Sequence, residues 1–321
     1  MSESANVTAI YQGDAQLRDL IRAAMQRDKR LSQAILAKES GVSATTLNQW
    51  LGGKYPGDNE GIDAKLRLWL EADQARRAAG SAMPVAPSYV STPTSARILG
   101  ALGYAQMAGD IAVVYGNAGV SKTETVKHYR DSSPNVWIAT MTPSTSGVVP
   151  ALEEICDALG ISPGGGARKM AKAICKRVRD THGLLCIDEA QHLGVPALDE
   201  IRAIHDDTGV GIALVGNDGV FARMAGGRNA AQLDRLYSRV GKRLRLQQAT
   251  EGDIVALIKA WGIEDAKCHT TLIQIARGSG ALRTLTKTLR LASMYAAAEG
   301  RGVCCEDVRA AATELMSGGE K

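Results

Sequence analysis

The chain has 321 residues, 45% hydrophobic and 22% charged, with a formal net charge of +4 at pH 7. That length allows two or three domains with sizeable cores, and so small a positive balance does not by itself call for a nucleic-acid partner. No apolar run approaches the roughly 20 residues of a membrane span, and the first residues lack a signal-peptide pattern. Cys156, Cys175, Cys186, Cys268, Cys304 and Cys305 show neither CxxC nor Cys/His metal spacing, so they read as reduced thiols of a cytoplasmic protein.

Residues 13–71 read as helical. Within them, Ser32 to Glu39 predicts a short helix, Gly41 a tight turn, and Ser43 the cap of a second helix. Val42, Leu47 and the Trp50-Leu51 pair would pack that second helix on the first. This is the helix-turn-helix pattern of repressor-type domains. Its exposed side chains would be Ala44, Thr45, Thr46, Asn48 and Gln49, of which Thr45, Thr46, Asn48 and Gln49 are candidate DNA contacts. Lys54 and Tyr55 just beyond could touch the phosphate backbone. Residues 1–71 carry nine basic and nine acidic side chains, a balance that suits weak rather than strongly sequence-specific binding. A pair of helices that docks protein is the alternative.

Residues 73–95 are rich in Ala, Pro, Ser and Thr and predict a linker. The expected organisation is a first domain over 1–72, the linker 73–95, an α/β core with a parallel sheet over 96–247, and a helical C-terminal domain over 248–321. A short helix at 96–107 would lead into the core.

The apolar run Ile111-Ala112-Val113-Val114-Tyr115 predicts a buried strand. Gly116-Asn117-Ala118-Gly119-Val120-Ser121-Lys122-Thr123 follows it, and a helix opening at Glu124 comes next. Strand, glycine-containing loop, Lys-Thr and helix are the parts of a phosphate-binding loop. Glycines let successive N–H groups turn inward toward phosphate oxygens, and the helix presents its positive end to the same anion. Lys122 would reach the β- and γ-phosphates and the Thr123 hydroxyl would bind magnesium. Ser121 stands where a second glycine is usual. Serine is small and begins helices well, which would preserve the loop.

Asn135 to Thr140 predicts a second strand, and Val148 to Leu159 an amphipathic helix. Between them lies a loop containing Thr142, Ser144 and Thr145. After Gly164-Gly165-Gly166, a helix over 167–181 gathers Arg168, Lys169, Lys172, Lys176 and Arg179 within about 100° of arc. No carboxylate interrupts the stripe, so like charges crowd at i,i+4 spacing. An anionic partner such as DNA phosphate would relieve that crowding; a solvated face is the plainer reading.

Leu184-Leu185-Cys186-Ile187-Asp188-Glu189 is a hydrophobic strand ending in two carboxylates, 66 residues beyond Lys122. A desolvated carboxylate needs a partner, so packing alone does not account for this ending. Asp188 is the candidate magnesium ligand and Glu189 the candidate general base. Gly211 to Gly216 predicts another buried strand, and Asn217 at its end could orient the attacking water. In the basic stretch 232–245, Arg235 or Arg239 could act as an arginine finger toward a neighbouring subunit. Arg239, at the end of its helix and before the next strand, is preferred. From Thr250 onward four helical segments are expected, at 251–261, 268–277, 281–298 and 305–316. Arg283, on the first turn of the third, could contact the γ-phosphate.

The phosphate loop, the Asp188-Glu189 strand, Asn217, Arg235/Arg239 and Gly280-Ala281-Leu282-Arg283 together resemble an AAA+ ATPase over about residues 96–316. With the helix-turn-helix ahead and the short helical domain behind, nearly the whole chain resembles the phage Mu transposition protein B family. The resemblance implies an ATPase that uses ATP and Mg2+ and oligomerises on double-stranded DNA with little sequence preference. It also implies delivery of that DNA to a transposase, in a bacterial cell or a phage-infected host. On this reading Gly116 to Glu124 hold the nucleotide. Lys122, Glu189, Asn217, Arg239 and Arg283 serve hydrolysis, while Thr142, Ser144, Thr145, Arg168, Lys169 and Lys172 face DNA. Two other classes stay open: a transcription regulator with a nucleotide-sensing switch domain, and a P-loop ATPase that acts on protein.

Overall fold

The computed structural model describes residues 14–28, 31–82, 87–220, 235–263, 265–278 and 280–317. Residues 232–234, at the start of the basic stretch, lie outside them. The chain divides into two compact units, Met1–Met83 and Pro84–Lys321.

The described part of the first unit is all helical: α1 (Ala15–Arg27), α2 (Gln33–Ser40), α3 (Ala44–Leu51) and α4 (Asn59–Ala82). Ser32 and Ser43 accept from the N–H groups of Ile35 and Thr46, and so cap α2 and α3. Gly41 takes φ 67° between them, a left-handed turn that glycine adopts without strain. Leu36, Leu47, Trp50 and Leu66 are fully buried, and Ile21 of α1 joins them. The two tryptophans reach polar partners at the edge of this core. Trp50 Nε1 donates to Asp63 at 2.7 Å and Trp69 Nε1 to Glu39 at 2.9 Å. Helix α4 runs through Ala82, ten residues into the stretch expected to be a linker. Its Ala- and Arg-rich sequence favours helix, and the first proline comes only at position 84.

The second unit opens with α5 (Pro93–Ala108), three residues ahead of expectation, because Thr92 and Ser95 form a capping box and Pro93 suits a first helical position. Then follow β1 (Ile111–Gly116), α6 (Lys122–Ser132), β2 (Val136–Thr140), α7 (Val148–Ala158), α8 (Ala167–Val178), β3 (Leu184–Asp188), α9 (Val195–Thr208), β4 (Gly211–Gly216) and β5 (Val240–Leu246). The strands form one parallel sheet in the order β2-β3-β4-β1-β5. β1, β3 and β4 are buried along their whole length, as central parallel strands covered on both faces must be. Ile111, Val113 and Tyr115 join the core on the face of α7, α8 and α9. Ala112 and Val114 point to the opposite face, against Ile98 and Leu102 of α5 and Val126 of α6.

Helix α8 ends at Val178 rather than near Thr181, because Arg179 is extended and Asp180 has φ 57°. Four helices close the chain: α10 (Glu251–Ala260), α11 (Ala266–Arg277), α12 (Ala281–Ala298) and α13 (Cys305–Ser317). They share a separate core around Ile258, Leu272, Leu285 and Leu289. Asp253 in the first turn of α10 is fully buried and ties these helices to α5. Its carboxylate accepts from Thr94 N–H at 2.8 Å and from Thr94 Oγ1 at 2.6 Å.

Candidate nucleotide site and basic faces

All five strands run the same way, so the carboxyl ends of β1, β3 and β4 come together on one edge of the sheet. Such an edge is where open α/β sheets bind ligands. Gly116, Asp188 and Gly216 sit there.

Gly116 leaves β1 with φ 135°, and a Cβ on it would lie 1.8 Å from the Leu246 carbonyl oxygen of β5. Asn117 N–H donates to that same carbonyl at 3.0 Å. Gly119 has φ 78°, and a Cβ there would meet the Gly280 carbonyl oxygen at 1.9 Å. Both glycines are therefore imposed by backbone approach as well as by conformation. Ser121 also takes a positive φ, 63°, and its side chain makes no capping hydrogen bond. The capping role expected of it is thus not what the serine does; its carbonyl instead accepts from Thr125 Oγ1 at 2.7 Å. A non-glycine residue in this conformation costs about 1–2 kcal/mol. The Val120 side chain is buried in the core, so toward a ligand it offers only its backbone. The Glu124 carboxylate is spent on Lys127, at 2.9 Å.

Lys122 folds back over the loop, its ammonium donating to the Gly116 carbonyl at 2.9 Å and the Asn117 carbonyl at 2.7 Å. Burial pushes the Lys122 pKa below the ordinary lysine value. Glu189, Asp188 and Asp218 pull it up, and Arg283 pushes it further down. Arg283, on the first turn of α12, thus lies within electrostatic reach of the loop. Asp188 is 2% exposed. Its Oδ2 accepts from Thr123 Oγ1 at 2.9 Å, and its Oδ1 from Glu189 N–H at 2.9 Å. Burial raises the Asp188 pKa despite those two bonds.

Glu189 turns the chain with φ 53° into a short 3-10 helix over Ala190–His192. Gln191 Nε2 donates to Glu189 Oε2, and Gln191 Oε1 accepts from Asn217 N–H at 3.2 Å. Asn217 uses its side-chain oxygen to accept from Gly219 N–H at 2.8 Å, a local turn that fixes the loop after β4. Asp218 pairs with Arg245 of β5 at 3.3 Å. Sequence reasoning missed Gln191 and Asp218. Gln191 stands two residues past the carboxylate pair, but nothing in a strand-ending pattern tells which way its amide turns.

Arg239 is half exposed and bonded through Nε to Asp206 of α9 at 3.0 Å; Arg235 is exposed. On α8 the stripe is less free than the sequence suggested. Its last member, Arg179, pairs with Asp207 at 2.6 Å; Arg177, outside the stripe, lies over the Trp137 ring at 5.1 Å. Among the described residues no carboxylate pairs with Arg168, Lys169, Lys172 or Lys176. Thr142 and Ser144 are exposed, but Thr145 is not a surface contact. It is 5% exposed, and its hydroxyl accepts from Thr142 N–H at 2.8 Å and donates to the Thr142 carbonyl, closing the 3-10 turn over Pro143–Thr145. On α3, Thr45, Asn48 and Gln49 are exposed, whereas Thr46 is half buried and its hydroxyl accepts from Ser43.

Asp265, Cys268 and Cys305 bring their ligand atoms within 4.8 Å of one another where α11 and α13 begin, a cluster absent from the spacing of the cysteines. Among the described residues no helix is long and apolar enough to cross a membrane.

A parallel sheet in this order, with a lysine-bearing loop after β1 and a carboxylate pair after β3, defines a P-loop protein of the AAA class. An AAA domain model matches residues 106–224, and the model of the Mu B transposition protein C-terminal region matches residues 238–315. The chain is 38% identical over 281 residues to the ATP-dependent target DNA activator B of Escherichia phage Mu, covering 87% of this chain and 89% of that protein. The activator B of Escherichia phage D108 is 37% identical over the same shares. The Mu-like prophage FluMu DNA transposition protein B of Haemophilus influenzae is 38% identical over 81% of this chain and 91% of its own length. The chain belongs to the Mu B transposition protein family.

Proposed function

We propose that this chain is an ATP-dependent, largely sequence-nonspecific DNA-binding ATPase. It assembles on target DNA and delivers that DNA to a transposase, which it stimulates. The observation that carries the chemistry is the meeting of Thr123, Asp188 and Glu189 beside Lys122 at the strand ends. The names of the relatives, target DNA activators that depend on ATP, support the destination of that chemistry.

The loop N–H groups and the start of α6 bind the phosphates, and Lys122 neutralises the β- and γ-oxygens. The donor set fits magnesium. Asp188 and Thr123 offer hard oxygens already in contact, and burial that raises the carboxyl pKa gives way to a nearby divalent charge. Bound Mg2+ would neutralise charge on the phosphates. Glu189 takes the proton of the attacking water, and Asn217 orients that water. Arg283 from the C-terminal helices, acting as a lid, and Arg239 from a neighbouring copy add positive charge at the γ-phosphate. On this reading a filament of copies lines DNA with the exposed Thr142-Ser144 turn and with Arg168, Lys169 and Lys172. Phosphate contacts of this kind carry no sequence preference. The helix-turn-helix surface of Thr45, Asn48 and Gln49 supplements that grip.

The test is DNA binding by the purified chain on two unrelated duplexes, with ATP, ADP or no nucleotide, with sedimentation of the same samples. Tight binding to both duplexes only with ATP, in large assemblies and abolished by Lys122→Ala, is the expected result. Binding to one duplex by a small oligomer regardless of nucleotide would overturn it in favour of a transcription regulator.

A further inference from the structure

The second residue of the 3-10 turn, Gln191, is held from both ends. Its amide nitrogen donates to one carboxylate oxygen of Glu189, and its amide oxygen accepts from Asn217 N–H. The second bond decides the orientation of the amide, because only a carbonyl oxygen can face an N–H. A third element leaves room for it. Gly216 ends β4 directly beneath the carboxamide, where a Cβ would lie 2.3 Å from Gln191 Oε1. The Glu189 carboxylate held in this way acts on Lys122 of the phosphate loop, and more strongly than Asp188 or Asp218 does. One of its oxygens accepts from the amide, and among the described residues no side chain donates to the other.

We propose that Gln191 is a positioning residue for hydrolysis. It aims the Glu189 carboxylate and couples that aim to the loop carrying Asn217, through a bridge seated over Gly216. The inference rests on the ATPase reading above. The coupling follows from the geometry: a shift of the 217–219 loop moves the acceptor end of the Gln191 amide, and its donor end moves the base. A general base contributes about 10²–10⁴ in rate when correctly placed. Losing its aim, with the carboxylate still present, forfeits part of that factor in kcat and leaves nucleotide binding alone.

Steady-state ATP hydrolysis of the full chain is the test, with nucleotide affinity measured separately by a fluorescent ATP analogue. Gln191→Ala is expected to lower kcat about tenfold to a hundredfold with KM and analogue affinity within about twofold. Gln191→Glu is nearly the same shape but, when ionised, cannot donate to Glu189. Two facing carboxylates share one proton more readily as pH falls, and the shared proton restores the missing donor. Its deficit against the wild type should therefore shrink at least about threefold between pH 8 and pH 6. A wild-type kcat in both variants would overturn the inference. So would a pH-independent Gln191→Glu deficit, or one that appears in KM. Wild type and Glu189→Gln run alongside: turnover in the first and its loss in the second keep the ATPase reading, whatever the Gln191 variants do. Absence of wild-type turnover, or full turnover in Glu189→Gln, would overturn that reading and the role of Gln191 together.

Discussion

The backbone N–H of Leu282 donates to the carbonyl of Gly119 at 3.1 Å, pinning the tip of the phosphate loop to the first turn of α12. The same turn carries Arg283, so the residue proposed to sense the γ-phosphate is fastened to the loop that would hold it. The contact is close because Gly119 has no side chain, and its replacement is the most direct probe of the link. Gly119→Ala puts a methyl 1.9 Å from the Gly280 carbonyl at a φ of 78°. Strain of this kind costs about 1–3 kcal/mol before any displacement is counted. Thermal unfolding should show a lower midpoint, and binding of a fluorescent ATP analogue should fall at least about tenfold. An unchanged melt with full binding would mean that the loop and α12 are not joined as described.

Ser121 carries a positive φ without a side-chain hydrogen bond in return. Ser121→Gly should raise the melting midpoint by about 2–4 °C, the shift expected of roughly 1 kcal/mol in a unit of this size. Ser121→Ala should change it by less than about 1 °C, because the hydroxyl caps nothing and the strain remains. The pair of melts separates backbone conformation from side-chain chemistry at this position.

Asp253 gives stability a pH signature. Burial, the largest single influence, pushes its pKa up, but hydrogen bonds from Thr94 and Thr250 together outweigh it and hold the carboxyl below the usual range. A depressed folded-state pKa means stability present above the unfolded value of about 4 and lost as pH falls through the folded one. Asp253→Asn should destabilise by about 2–4 kcal/mol at pH 7 and by less as the solution is acidified toward pH 3. Urea midpoints at several pH values report the difference.

If Arg239 completes the site of a neighbouring copy, catalytic parts lost from different subunits should complement. Arg239→Ala and Glu189→Gln, each alone, should retain at most about a tenth of wild-type turnover. Mixed in equal amounts on DNA they should recover activity, since about one interface in four pairs an intact base with an intact arginine. Arg235→Ala alone should keep most of the wild-type turnover and so need no complementing partner. Failure to complement would assign Arg239 to its bond with Asp206 alone.

Much of the second unit could be read along the chain because its signals are local. The apolar runs at 111–115, 184–187 and 211–216 give three buried strands, and each ends in a residue type that packing does not demand. Most of what escaped the reading depends on distance in sequence. Thr94 and Asp253 meet across 159 positions, and no periodicity announces such a bond. Thr145 read as a surface hydroxyl because its polarity is plain, whereas the turn that consumes it is set by Pro143 and Thr142. Arg179 of the basic stripe found Asp207 on a neighbouring element. Gln191 is the clearest case: its neighbours along the chain reveal an acidic pair, but its partner Asn217 and its seat on Gly216 come from the adjacent strand.

The ammonium of Lys122 already has two acceptors, the carbonyls of Gly116 and Asn117. If phosphate binds here as proposed, it must displace the chain from its own lysine, and on its departure the chain replaces it. The loop acts as a built-in competitor, so net affinity measures the excess of phosphate over backbone as a partner. Release of product then leaves no bare buried cation behind. On the proposed reading a site arranged this way favours exchange over tenacious retention, and α12, joined to the loop through Leu282 and Gly119, is the element placed to add grip.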